Sequence, residues 1–173
     1  MTETGSNTSR NGAAGTAQQV GPQAGIERLY DSELAGETEF LAARARSVGS
    51  RRANEGLAAL DLKVRSYSVL SLACSGLNPS QRELAEFLSL DPSQIVALVD
   101  QLEKRGAVKR LADPRDRRSN IITPTPEGKR LYAEASAVVA AASNTSLGAL
   151  SPAERDQLRS LLRRVAFADQ TAG

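Results

Sequence analysis

The sequence predicts a mainly α-helical fold with one small β-hairpin, and three observations predict it. Apolar residues make up 40% of the 173, yet aromatics only 3%, and Trp is absent. The core must then be built from Leu, Val and Ala, which suits helices better than sheets. Helix starts are legible as cap sequences at Ser80, Asp91, Thr125 and Ser151. One stretch, at about 107–123, is instead rich in β-branched residues and bases. A chain of this length commonly makes one folded unit, and the patterning assigns that unit to 26–169.

Residues 1–25 are mostly Gly, Ser, Thr, Asn, Gln and Ala without apolar periodicity, which predicts a disordered tail. From Ile26 to Arg52, the residues Leu29, Leu34, Phe40, Leu41, Ala45 and Val48 recur near helical spacing and predict a long first helix. Gly36, Gly49 and Gly56 weaken that pattern. Leu62 to Ala73 forms a second helix, with Tyr67, Leu70 and Cys74 on one stripe and Asn78-Pro79 beyond its end. Ser80-Gln81-Arg82-Glu83 is a capping box that opens a helix at about 81–88. Asp91-Pro92-Ser93-Gln94 has an N-cap Asp followed by Pro at the first helical position, opening a helix at about 92–105. Thr125-Pro126-Glu127 and Ser151-Pro152-Ala153-Glu154 open the last two, at about 126–147 and 152–169.

The two short helices flank the turn Ser89-Leu90-Asp91, and the first is expected to bury Leu84, Phe87 and Leu88. On the second, a wheel of about 100° per residue gathers Ile95, Leu98, Val99 and Leu102 on a core face. Ser93, Gln94, Ala97, Gln101 and Lys104 fall opposite, on a face that is small, polar and uncharged until Lys104. A helix entering the DNA major groove needs such a face: small residues let the backbone approach, and amides bond base edges. Gly106 stops the helix. Ala107–Leu111 and Ser119–Thr123 then read as two strands around Ala112-Asp113-Pro114-Arg115-Asp116-Arg117-Arg118. A hairpin with guanidinium groups at its tip is a wing, suited to neutralising phosphates or inserting Arg into a narrow minor groove. Helix, turn, helix and wing together predict a winged helix-turn-helix.

Charge distribution supports this where total charge does not. The net charge is only +2, but Lys104 to Arg118 holds seven basic residues, Arg110 among them, against two acids. Glu27 to Glu39 holds five acids and one base. A basic patch set against an acidic remainder is the footprint of docking on phosphate, the alternative for a charge run alone being a solvated face. Histidine is absent and Cys74 is the single cysteine. The usual general base, the His ligands of zinc and haem, and any internal disulfide are therefore excluded. No Gly-rich phosphate loop is present. These features predict no catalytic residue, no metal and no cofactor. With no apolar run of about 20 residues and no signal-peptide pattern, the expected location is the cytoplasm.

Leu84-Ala85-Glu86-Phe87-Leu88, Val99 through Val108, Asp113-Pro114-Arg115-Asp116-Arg117-Arg118, and Thr123-Pro124-Thr125-Pro126-Glu127-Gly128 together resemble the MarR family of multiple-antibiotic-resistance regulators. The likeness extends over about 28–168 and is most specific from 84 to 128. It implies a homodimer whose terminal helices, about 27–53 and 126–169, interleave as a dimerisation layer, while 62–123 reads half of a pseudo-palindromic operator in double-stranded DNA. It implies that Arg118 enters the minor groove braced by Asp116, and that Arg115 and Arg117 meet phosphates. Ser80, Gln81 and Arg82, at a helix N-terminus, are further phosphate candidates. Where the family often has Thr and Arg on the recognition helix, this chain has Val96 and Ala97. Base reading would then rest on Gln94, Gln101 and apolar contact with thymine methyls, with a larger share for DNA shape. The resemblance also implies a repressor released by a small-molecule effector, held in a crevice near Arg65 and Tyr67. Two alternatives stay open: a cysteine-based redox sensor using Cys74, and a winged helix that binds protein without specific DNA binding.

Overall fold

Cap chemistry sets the later helix starts in the computed structural model, which describes residues 25–114, 116 and 118–168. The chain divides into two units, Met1–Ala42 and Ala43–Gly173. In the first, two 3-10 helices, Glu27–Asp31 and Glu33–Gly36, precede helix α1, Thr38–Leu57. The expected long helix from Ile26 therefore starts twelve residues late. Ser32 and Glu37 are both extended, and the Ser32 hydroxyl donates to the Leu29 carbonyl at 2.7 Å. That local bond competes with helix continuation, a habit of Ser side chains. Most of the predicted tail lies outside the described residues.

In the second unit, α1 ends in a 3-10 turn, Ala58–Leu60, and is followed by α2, Val64–Ala73, α3, Gln81–Leu88, and α4, Pro92–Lys104. Strands β1, Val108–Ala112, and β2, Asn120–Pro124, precede α5, Pro126–Ser146, and α6, Pro152–Ala166. Ser80 and Ser151 each form a complete capping box, and Asp91 and Thr125 cap α4 and α5. The core joins Leu57 of α1, Val69 and Leu70 of α2, Leu84 of α3, Ile95, Val99 and Leu102 of α4, Ile122 of β2 and Leu131 of α5. Each such side chain contributes about 1.5–3 kcal/mol by leaving water, so this cluster fixes the helices around the hairpin.

Phe87 is not in that core. It is 56% exposed and stacks on Phe167, ring centroids 5.9 Å apart, while Ala85 takes the buried position. In an eight-residue helix the inward stripe is narrow, and Leu84 and Ala85 fill it.

The strands pair antiparallel, from Val108 with Pro124 to Ala112 with Asn120. An unpredicted third segment joins them: Ser80 bridges Ile121, and the Ile122 amide donates to the Pro79 carbonyl at 2.8 Å. The hairpin base is also stitched to α5. Thr125 donates its hydroxyl to the Gly106 carbonyl at 2.6 Å, and a Cβ on Gly128 would lie 1.8 Å from the Ala107 carbonyl oxygen. Gly56, which the pattern counted against a helix, serves the same purpose in α1: a Cβ there would meet Val138 Cγ1 at 2.6 Å. Its missing side chain lets α1 and α5 approach.

Candidate nucleic-acid interface

Helix α4 owes its orientation to both ends. At the start, the Asp91 carboxylate accepts from the Ser93 amide at 2.7 Å and from the Ser93 hydroxyl. The Ser93 hydroxyl bond, then the amide bond, hold this carboxyl below the usual Asp range. At the other end, Gly106 adopts φ +75°, its amide bonds the Glu103 carbonyl at 2.8 Å, and the Ala107 amide bonds that of Leu102 at 2.9 Å. This pair of bonds is a Schellman motif, and buried Ala107 completes it beside buried Leu102. Between these ends Ile95, Val99 and Leu102 are buried and Leu98 is partly so. Ser93, Gln94, Ala97, Gln101 and Lys104 are all exposed on the other side, as the wheel predicts. Val96, 43% exposed, widens that face with an apolar patch.

Arg110 is engaged within the chain. Its guanidinium forms ion pairs with Asp100 and Glu103 of α4, and its Nε donates to the Gln81 side chain at 3.2 Å. Partial burial lowers the guanidinium pKa, but the Asp100 and Glu103 contacts outweigh it and leave the group raised. Arg110 is thus a strut that joins β1, α3 and α4, with its charge already matched. Gln81, tied to Arg110, is half-buried. Ser80 is also engaged: only 9% exposed, its amide and hydroxyl both donate to the Glu83 carboxylate, at 2.7 and 2.8 Å. The anion at this helix N-terminus is the protein's own. Arg82 alone of the three is exposed.

At the wing, the Asp116 carboxylate accepts from the Arg118 backbone amide at 2.9 Å. Asp bonds the backbone two residues on in many turns, and here it shapes the tip. Arg118 itself is exposed. The Ser119 amide bonds the Asp116 carbonyl, and the Asp113 amide bonds that of Ser119, both at 3.0 Å. Arg115 and Arg117 lie outside the described residues.

Arg65 and Tyr67 part company. Two residues are about 200° apart on a helix, and Arg65 is exposed while Tyr67 turns to α5 and stacks on Tyr132, centroids 6.1 Å apart. Burial, then the neighbouring Tyr132, push the Tyr67 phenol up against an opposing Ser71 hydrogen bond. Cys74 caps the C-terminus of α2, half-buried, with its Sγ 4.0 Å from the Gly128 carbonyl. Burial pushes the thiol up despite the charge of Lys129. Among the described residues no group of His, Cys, Asp and Glu could hold a metal ion, and no helix is long and apolar enough to cross a membrane.

A model of the MarR family matches residues 64–119, from α2 to the wing. A transcriptional regulator of that family from Rhodococcus sp. RHA1 superposes with a TM-score of 0.75 at 41% identity, over 79% of this chain and 98% of its own. CouR from Rhodococcus jostii RHA1, bound to p-coumaroyl-CoA, gives 0.72 at 42% identity, over 79% of this chain and 96% of its own. A putative transcriptional regulatory protein for the hcr operon of Thauera aromatica is 29% identical over 141 residues, 81% of this chain and 85% of the relative.

Proposed function

The chain belongs to the MarR family of winged-helix transcriptional regulators, and from that premise we propose that it is a homodimeric repressor that binds a pseudo-palindromic operator and leaves it when a small effector binds. The observation that carries the reading is the outer face of α4, where Ser93, Gln94, Ala97 and Gln101 are small or amide-bearing and exposed. Gln94 and Gln101 read base edges, Ser93 and Ala97 allow the close approach, and Lys104 and Arg82 meet phosphates. Arg118, with Arg115 and Arg117, supplies the wing contact. Ser80, Gln81 and Arg110 are better supported as the frame that orients these groups. The segment 62–123 is the DNA-reading part.

Two termini supply the dimer layer, 27–53 and 126–169. Helix α6 buries no residue, and Leu161, Leu162 and Val165 are exposed on it; Ile26, Leu29, Tyr30 and Leu34 are exposed near the start. Apolar surface of this kind favours a partner copy. An enzymatic role has no support, and the protein works in the cytoplasm, where its DNA is. The Cys74 redox reading is disfavoured, because a thiol raised by burial forms little reactive thiolate.

The relative that holds p-coumaroyl-CoA supports an aromatic acyl thioester as the effector. The Tyr67–Tyr132 ring pair offers an aromatic wall, and Arg65, exposed on another side of α2, stays outside that wall. The ring of an aromatic acyl group suits such a wall. The deciding experiment selects short genomic fragments on the protein across a salt series. Enrichment of a two-fold-symmetric site with steep salt dependence is expected. Uniform weak binding of every fragment would sink the reading. With the operator in hand, p-coumaroyl-CoA is expected to release it at concentrations where p-coumarate and CoA alone do not.

A further inference from the structure

Two helix ends meet at one guanidinium. The segment formed by α1 and its 3-10 turn closes as α4 does: the Asp61 amide bonds the Ala58 carbonyl at 3.0 Å, and the Leu62 amide bonds that of Leu57 at 3.1 Å. Asp61 takes the left-handed conformation, φ 47°, that a Gly usually holds. Such a terminus leaves carbonyls without helical partners and concentrates negative potential. Arg105, at the C-cap of α4, reaches across: one of its terminal nitrogens donates to the Leu60 carbonyl at 2.6 Å and to the Asp61 carbonyl at 3.2 Å. A second tie lies beside it, where the Asn54 side chain accepts from the Val64 amide at 2.9 Å and joins α1 to the start of α2.

We propose that Arg105 is a positioning residue that sets the angle of the recognition helix against α1, and thereby the separation of half-sites the dimer accepts. The proposal rests on the dimeric, DNA-reading role above. Its physical basis is that α1 and α4 belong to different tasks, dimerisation and reading, and are joined at their C-terminal ends by this contact. A guanidinium holding two carbonyls is a stiff link, because its donors lie in one plane. The sequence gives Arg105 the look of one more base in the run from Lys104 to Arg118. Its partners are instead backbone oxygens 44 and 45 residues earlier.

The test is an operator series with base pairs added or removed at the centre, titrated with wild type, Arg105→Ala and Arg105→Lys. Each inserted pair moves the half-sites about 3.4 Å apart and turns one against the other by about 35°. Wild type is expected to favour one spacing by about tenfold or more, a gap of about 1.4 kcal/mol. Both variants are expected to flatten that preference to about threefold or less, with unchanged salt slope and near-normal melting, since neither phosphate nor core is touched. Arg105→Lys keeps the charge but not the two coplanar N–H donors of one guanidinium nitrogen, so a lysine variant with the wild-type spacing profile would overturn the proposal. So would an alanine variant that keeps the profile, or one whose only change is a salt slope lower by about one, the sign of a lost phosphate contact. A wild type without any operator preference would instead bring down the functional reading, and this inference with it.

Discussion

Gly128 and Arg118 mark the two kinds of residue this fold depends on. Gly128 is a packing position: the nearest obstacle to a Cβ is the Ala107 carbonyl oxygen at 1.8 Å, and backbone cannot swing aside as a side chain tip can. Gly128→Ala is therefore expected to destabilise the protein by about 2–3 kcal/mol and lower Tm by about 4–12 °C, read by thermal denaturation. A melt within a degree of wild type would contradict the close approach of α5 to β1. Arg118 is a proposed contact position: it is exposed, and Asp116 accepts from its backbone amide. Arg118→Ala is expected to keep the wild-type Tm, weaken operator binding more than about tenfold and lower the salt slope by about one. Gln94→Ala should act differently, relaxing preference at particular base pairs in a selection experiment while leaving the salt slope alone. Unchanged base preference would show that the reading face lies elsewhere on α4. Arg110 separates composition from role. In sequence it is one more arginine near the wing, but Asp100 and Glu103, ten and seven residues before it, claim its charge. That pairing depends on β1 folding back beside α4, and no local pattern announces it.

Helix caps were the most legible elements, because a cap is a contact between neighbours in sequence. Ser80, Asp91, Thr125 and Ser151 each accept from an amide two or three residues ahead, and each opens the helix its sequence predicts. The same locality makes their loss predictable. Asp91→Ala should destabilise the protein through the first turn of α4, seen as a lower denaturant midpoint with an unchanged m-value. The pH dependence has a definite sign. Asp91 and Glu154 both have lowered pKa values, the first cause in each being a serine hydroxyl hydrogen bond, from Ser93 and Ser151. A carboxyl with a depressed folded pKa stabilises fully above its unfolded value of about 4 and loses that contribution as pH falls through the folded value. Acid titration of Asp91→Asn, followed by circular dichroism, should show a smaller loss of stability below about pH 4 than wild type. The early helix was less legible, since Leu29, Leu34 and Phe40 keep helical spacing while Ser32 bonds the chain back on itself. Phe87 misled for a related reason: its stripe points to α3's inner face, but the space there is filled by Leu84 and Ala85, and its partner Phe167 is eighty residues away. The Ser80–Ile121 bridge was hidden likewise, because a single pairing leaves no alternating pattern to read.

At the scale of the whole molecule, the division of labour rests on where apolar surface goes. Residues 57 to 135 supply a closed core, to which the end of α1 and the first half of α5 contribute Leu57, Leu131 and Ala135. Helix α6 does not draw on that core. It has a complete capping box and a basic last turn with Arg163 and Arg164, features that stabilise an isolated helix by tenths of a kcal/mol to about one each. Yet it buries no side chain, and Leu161, Leu162 and Val165 are 47, 52 and 76% exposed. A fifteen-residue helix is marginal in water without packing, so its persistence points to a second copy as the cover. Truncation after Ala149 is then expected to do two separable things. Sedimentation velocity should show a monomer where the full chain is expected to be a dimer, while cooperative unfolding survives because every core side chain is retained. Operator affinity should fall steeply, since a monomer engages one half-site and forgoes the gain of linking two. A truncated protein that still sediments as a dimer would remove α6 from the interface and shift the burden to α1, α5 and the exposed apolar residues from Ile26 to Leu41.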